Sequence, residues 1–214
     1  MNTRKITHLL LFFIITTMAT AQQLYLETGK VSSSFDYKNS QGVRLDNLQA
    51  TTHSFMNMGY RGKIFSERIK VSFGLGYAEY GATGSDDVLG NIMKWDVNYL
   101  ELGTGLDFRL FSIKKTEFYI KGTTSVGFLI QGTQTLNNRV IDLKNNDDFD
   151  QAMINFKTGA GLSHPVSDKL SFYVQYLFGK SANQADDGDN ESLKIKNHNI
   201  SFGVLIQLFK NSAP

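Results

Sequence analysis

The sequence predicts an all-β fold: an eight-stranded antiparallel up-and-down transmembrane β-barrel. Three observations carry this. Apolar and polar residues alternate with period two in segments of about ten residues, the signature of strands with two different faces. The connections alternate between short turns and long polar loops, the pattern of a barrel whose hairpins open on opposite sides of a membrane. No stretch after residue 21 is apolar enough for a transmembrane helix.

The segments can be justified in order. The first, Leu24 to Tyr37, is the least regular. Val31, Phe35 and Tyr37 share a parity with Tyr25, but Glu27 falls on that face too, so a bulge or a later start is expected to repair the register. In the second, Met56, Met58, Tyr60 and Ile64 oppose Asn57, Gly59, Arg61 and Lys63. In the third, Ile69, Val71, Phe73, Leu75 and Tyr77 oppose Lys70, Ser72, Gly74 and Gly76. The fourth, Asn98 to Phe111, is the clearest: Leu100, Leu102, Leu106, Phe108 and Leu110 oppose Glu101, Gly103, Gly105, Asp107 and Arg109. In the fifth, Ile120, Val126, Phe128 and Ile130 oppose Lys121, Thr123, Ser125 and Gly127. The sixth sets Ile154, Phe156, Ala160 and Leu162 against Asn155, Lys157, Gly159 and Gly161. The seventh sets Leu170, Phe172, Val174, Tyr176 and Phe178 against Ser171, Gln175 and Gly179. The last sets Ile200, Phe202, Val204, Ile206 and Leu208 against Asn199, Ser201, Gly203 and Gln207. Short turns are expected at Ser66–Arg68, Ser112–Lys115 and His164–Asp168, and long loops at 38–52, 81–96, 132–152 and 181–196.

Residues 1–21 read as a signal peptide, with Arg4 and Lys5 ahead of an apolar run, Leu9 to Ile15, and a small-x-small site at Ala19-Thr20-Ala21. That run is short of the ~20 residues a spanning helix needs. The expected organisation is therefore signal peptide 1–21 and one barrel domain, 22–214. With no cysteine anywhere, disulfides, thiol catalysis and Cys-ligated zinc are excluded. Arg4 and Lys5 account for the formal charge of +2, so the remainder is neutral, which argues against a nucleic-acid partner.

Alternation alone does not decide which face is inside, because a soluble barrel with an apolar ligand cavity also alternates. Here the apolar face carries almost no charge and the other is rich in Gly, Ser and Asn. Small polar residues suit the narrow lumen of eight strands, so the apolar face is expected to meet lipid. Tyr77, Tyr80, Trp95 and Tyr99 on the loop side, and Phe65, Phe111, Phe118 and Phe209 on the turn side, are expected to form two interfacial girdles. The lumen would then hold Arg61, Lys63, Lys70, Glu101, Asp107, Arg109, Lys121 and Lys157. Such charges must pair or hold water, which predicts a plugged interior around Glu101 and Asp107 rather than a pore.

The segments NYLELGTGLDFRLF (98–111) and EFYIKGTTSVGFLI (117–130), with the leader and the closing ISFGVLIQLF (200–209), resemble small outer-membrane β-barrel proteins of the OmpX/OmpA-like and PorT-like group, closest to those of Bacteroidetes-type bacteria. The resemblance spans nearly the whole chain after the leader. It implies location in the cell outer membrane, contact with outer-membrane lipid and lipopolysaccharide, and no cofactor. One departure is that Phe209 is followed by five residues instead of closing the chain.

The three histidines after the leader are the candidates for catalysis. His198 and Ser201 are three apart, so they fall on opposite strand faces and cannot pair as base and nucleophile. His164 lies in a short turn, and His53 has no evident Ser-plus-acid partner in sequence. No G-x-S-x-G elbow occurs. The acidic runs 145–150 and 186–191 lack EF-hand spacing and read as solvated loop tips. The glycines of 74–84 alternate within a strand, unlike a dinucleotide site. The expectation is a non-enzymatic, monomeric barrel acting through its exposed loops on lipopolysaccharide, host or a partner protein. The alternatives are a lipid A-modifying barrel enzyme and a soluble periplasmic lipocalin-like carrier of a small apolar ligand.

Overall fold

In the computed structural model the described residues are 21–38, 44, 47–86, 91–144, 152–182 and 192–208. The leader prediction falls on residues outside these, apart from Ala21, where the first strand begins. The strands among the described residues are β1 (Ala21–Lys38), β2 (Gln49–Ile64), β3 (Ser66–Asp86), β4 (Asn91–Ile113), β5 (Thr116–Leu136), β6 (Arg139–Asp142), β7 (Met153–Pro165), β8 (Leu170–Ser181) and β9 (Ser192–Gln207). All pair antiparallel with a neighbour; β1 pairs β9, β5 skips to β7, and β4–β5 closes the ring. The result is a closed barrel of eight strands, with β6 folded back on the upper end of β5. Closure removes exposed sheet edges.

The strands are longer than the sequence predicts. β4 runs for 23 residues, whereas crossing a bilayer takes about 9–11. Most of the expected loop 81–96 is therefore strand, with β3 ending at Asp86 and β4 starting at Asn91. Residues 49–52, 132–136 and 192–196 are likewise strand. On the other side the turns are as short as expected, with Phe65 alone between β2 and β3 and Lys114–Lys115 between β4 and β5. Phe65 and Lys114 take positive φ there, as tight connections require.

The faces change character part-way along β1, β2, β3, β4 and β9. On β4, Leu100, Leu102, Leu106, Phe108 and Leu110 point outward and are exposed, while Glu101 and Asp107 point inward and are buried. Beyond Tyr99 the pattern inverts: Trp95, Val97 and Tyr99 are buried inside, and Lys94, Asp96 and Asn98 lie outside. β3 inverts between Tyr77 and Ala78, and β2 between Phe55 and Met56. Hence the lower half has a greasy exterior and a polar lumen, while the upper half has a polar exterior and an apolar core. That core comprises Val31, Phe35, Phe55, Ala78, Tyr80, Ala82, Trp95, Val97, Tyr99, Leu143, Met153, Leu193 and Ile195.

Two expectations are corrected by this inversion. Tyr80, Trp95 and Tyr99 form no interfacial girdle; they are core residues, and only Tyr77 of that set faces outward. β1 needs no bulge between Gln23 and Lys38, because its pairing with β9 runs unbroken. Tyr25, Glu27, Val31, Phe35 and Tyr37 all share the inner face, polar below and apolar above. On the turn side Phe65 and Phe111 are exposed, and Phe111 stacks on Phe118 at 4.8 Å. Phe209 lies outside the described residues.

Candidate functional site

The lumen is the most organised polar site, and period-two alternation builds it by sending every second residue inward. Its glycines make room for tyrosines. The Tyr25 ring lies where a Cβ on Gly59 or Gly74 would stand, Tyr119 does the same over Gly161, and Tyr173 over Gly203. A large ring against a neighbouring glycine fills a narrow lumen without clash.

The charged residues lie in tiers. Lowest is Glu117, held by Lys70 at 2.6 Å and Arg109 at 2.9 Å. Above it, Asp107 contacts Arg61 at 2.6 Å and Lys121 at 3.2 Å. These two contacts are off the hydrogen-bond angle and act as charge pairs. The Arg61 guanidinium also lies 5.4 Å from the Tyr119 ring centre, within cation–π range. Higher still, Glu101 accepts from Tyr80 Oη at 2.6 Å, Ser125 Oγ at 3.0 Å and Lys157 Nζ at 3.1 Å. Asn155, Asn197 and Asn199 continue the chain, with Asn155 donating to Tyr80 and Asn199 to Asn197. Buried charges are tolerable only with such partners.

Seven of the eight residues expected in the lumen are thus in the network. Lys63 stands apart, at the lower rim, paired with Glu67 at the start of β3. Two carboxylates were missed. Glu117 precedes the stretch in which alternation is easily read. Glu27, which interrupts the apolar pattern of β1 in the sequence, is buried on the lumen face, accepting from Tyr173 and Gln175 at 3.0 Å each. The signal that could have found it is its parity with Tyr25.

Two voids flank the Arg61–Asp107–Lys121 tier. One, lined by Glu27, Asn57, Ser72, Glu101, Lys157 and Gln175 among others, has about 70 Å³, room for a few waters. The other, about 190 Å³, opens on the turn side beside Gln23, Lys63, Lys70 and Glu117. Above both stands the apolar core. Leu143, next to β6, is anchored by its N–H to the carbonyl of Gly132 at 2.9 Å and is almost wholly buried.

The histidines fall as follows. His198 faces outward beside the Tyr176 hydroxyl (2.6 Å), while Ser201 is buried inside, on the opposite face as expected. His164 lies at the lower end of β7, 2.9 Å from Thr116 Oγ1. His53 has more company than its sequence suggests. Pairing of β2 with β3 is interrupted between Ala50 and Phe55, and Ser33 Oγ bonds the N–H and carbonyl of Gly81 in place of the ladder. His53 then sits over Gly81, with Thr51 Oγ1 at 2.8 Å from Nε2, Glu79 at 4.0 Å from Nδ1 and Asp96 at 3.8 Å from Nε2. Among the described residues no His/Asp/Glu group has the geometry of a metal site.

The outer surface decides the environment. On β4 the outward row from Leu100 to Leu110 is about 34 Å long at ~3.4 Å per residue, or about 25 Å in height at the usual barrel tilt. That matches the apolar band of a barrel embedded in lipid, and lipid-exposed strands must be closed in this way. The chain has the fold of a membrane-spanning β-barrel.

No protein-family model matches the sequence, and no curated protein matches it. Among solved structures the barrel is similar to Neisserial surface protein A, at 11% identity, 86% of this chain, 97% of that one and TM-score 0.49. It is similar to OprG of Pseudomonas aeruginosa at 13% identity, 88% and 97% coverage and TM-score 0.47. The attachment invasion locus protein Ail of Yersinia pestis follows at 13%, 86%, 99% and 0.41.

Proposed function

We propose that the chain is a non-conducting, non-catalytic, monomeric membrane anchor that holds a rigid β extension outside the cell as an interaction surface for lipopolysaccharide, host or a partner protein. The observation behind this is the inversion of faces. A pore would need a continuous wet path, whereas the upper barrel is filled by Val97, Tyr99, Leu193 and Ile195, each with essentially no exposed area. A flexible display would need loops, whereas the upper region is ladder-paired strand that reaches Asp86 on β3. Rigid scaffolds position the tips that make contacts.

Planar-bilayer recording tests the closed lumen. The expected trace is flat, and stable large conductance steps overturn the reading. Replacing 87–90 or 183–190 by short glycine-serine linkers should leave insertion intact and remove binding of the extension to lipopolysaccharide or whole cells.

A second reading is favoured by the Thr51–His53–Glu79 arrangement just above the apolar band. A hydroxyl on one ring nitrogen and an acid towards the other is the order of a nucleophile, base and orienting group. The 4.0 Å to Glu79 exceeds hydrogen-bond reach, so the set is unassembled as it stands. Mass spectra of lipid A from cells with the wild type, Thr51→Ala or no protein separate the readings. A modification lost with Thr51→Ala establishes an enzyme.

A further inference from the structure

The outer surface carries a diagonal trench with a basic mouth. Cross-strand pairing places Leu106, Gly122, Thr158, Phe178 and His198 in one row across β4, β5, β7, β8 and β9. The next row up includes Thr124, Phe156, Lys180 and Lys196. Rows perpendicular to tilted strands climb through the membrane. At its β4 end the row is six residues below Leu100, where the outward run Leu100–Leu110 begins; at its β9 end it is two residues above Ile200.

Along this climb the outer surface is hollow. A Cβ built on Gly122 meets nothing within 4 Å, and the small Thr124 and Thr158 adjoin it. Ile120 on one side and Phe156 on the other stand proud, each about half exposed. The depression is continuous from Leu106 past Phe178 to Lys180, Lys196 and His198.

The mouth is positively charged. Lys180 and Lys196 stand directly opposite each other on β8 and β9, an arrangement that costs stability unless an anion lies between. Among the described residues the one carboxylate in ion-pair reach of either is Asp36, 3.1 Å from Lys196, and it is shared with Arg44 at 3.0 Å. Lys194 on β9 and Lys30 on the adjoining β1 add charge. Across the barrel the same level carries Glu79 and Asp96 instead.

We propose that this trench binds one phosphate-bearing lipid of the outer leaflet, an acyl chain lying over Gly122 and Thr158 and the phosphate between Lys180 and Lys196. Apolar walls, a floor of small side chains and a cationic head at the headgroup level are complementary to such a lipid. A zwitterionic lipid has no net charge to match the lysines, and a free phosphate has nothing to fill the trench.

The test is native mass spectrometry of the full-length barrel released from nanodiscs of phosphatidylcholine doped with either monophosphoryl lipid A or phosphatidic acid. The expected result is one retained phosphate lipid per barrel and no retained phosphatidylcholine. Lys180→Gln with Lys196→Gln should weaken retention roughly thirtyfold, counting both lysines. Gly122→Phe, which blocks the trench and spares the charges, should also weaken it. Lys94→Gln, on the other side, should change nothing. Heat-modifiable gel mobility confirms that each variant is folded, and selectivity of the wild type alone decides the matter if one is not. Equal retention of phosphatidylcholine, loss with Lys94→Gln equal to the double variant, or displacement by millimolar inorganic phosphate regardless of Gly122→Phe would each overturn the proposal.

Discussion

At the scale of single residues, the lumen lives on pairing. Lys157 lies between Glu101 and the Tyr80 ring, and removing it strands a buried carboxylate. Lys157→Met should therefore cost about 3–5 kcal/mol, and adding Glu101→Gln should recover most of it. Urea unfolding in detergent, followed by the single tryptophan, reads both; equal losses in the single and double variants would show that the pair is not coupled. Outside the membrane band, burial alone would raise the Asp36 carboxyl, but Lys196 and Arg44 hold it below its ordinary value. A depressed carboxylate stabilises the fold above its unfolded pKa of about 4, and that contribution is lost as pH falls through the lower folded value. Melting curves of wild type and Asp36→Asn should differ at pH 6 and converge towards pH 3; a gap that widens in acid contradicts the assignment. Periodicity does not reveal this residue's role, because Lys196 reaches it from β9 and Arg44 from beyond the end of β1.

At the scale of elements, β2, β3 and β4 are each two strands in series, with opposite rules. Below the switch, charge on the outward face costs lipid contact: Leu102→Arg should destabilise by about 2–4 kcal/mol, whereas Asn98→Arg, two positions outward of Leu100, should cost about 0–1. Folding titrations in bilayers measure both, and equal penalties would mean that the apolar band extends past Leu100. Above the switch the inner face must stay apolar, so Val97→Asp should unfold the extension and leave the lower barrel inserted, seen as protease access at β3 and β4 without loss of membrane retention. Alternation alone made the lower halves legible, since Leu100 to Leu110 have one parity and Glu101 to Arg109 the other. It also concealed the upper halves. Where the apolar residues change parity, as from Tyr99 to Leu100 on β4 or from Phe55 to Met56 on β2, the segment ceases to read as one strand and passes for loop. The same reversal made Glu27 look misplaced beside Val31 and Phe35, although all three share one face.

At the scale of the whole molecule, the two halves are one barrel in two solvents. Hydrocarbon around the lower half puts Leu, Phe and Ile outside and Glu, Lys and Asn within. Water around the upper half reverses this, and the reversed core stops the lumen. The ring order and the number of strands were readable from the segment count and the short turns. The β6 hairpin and the plug residue Leu143 were not, because they depend on contacts with β5 that no periodicity encodes. The reversal itself is open to a direct measurement, since a chain without cysteine accepts single nitroxide labels cleanly. Labels placed in turn at 94, 96, 98, 100, 102, 106 and 108 on the outward face of β4, in a bilayer, should show a switch between 98 and 100: accessible to aqueous nickel above, to dissolved oxygen below. Oxygen accessibility continuing through 94, or nickel reaching 102 to 108, would contradict a barrel that changes solvent along its length.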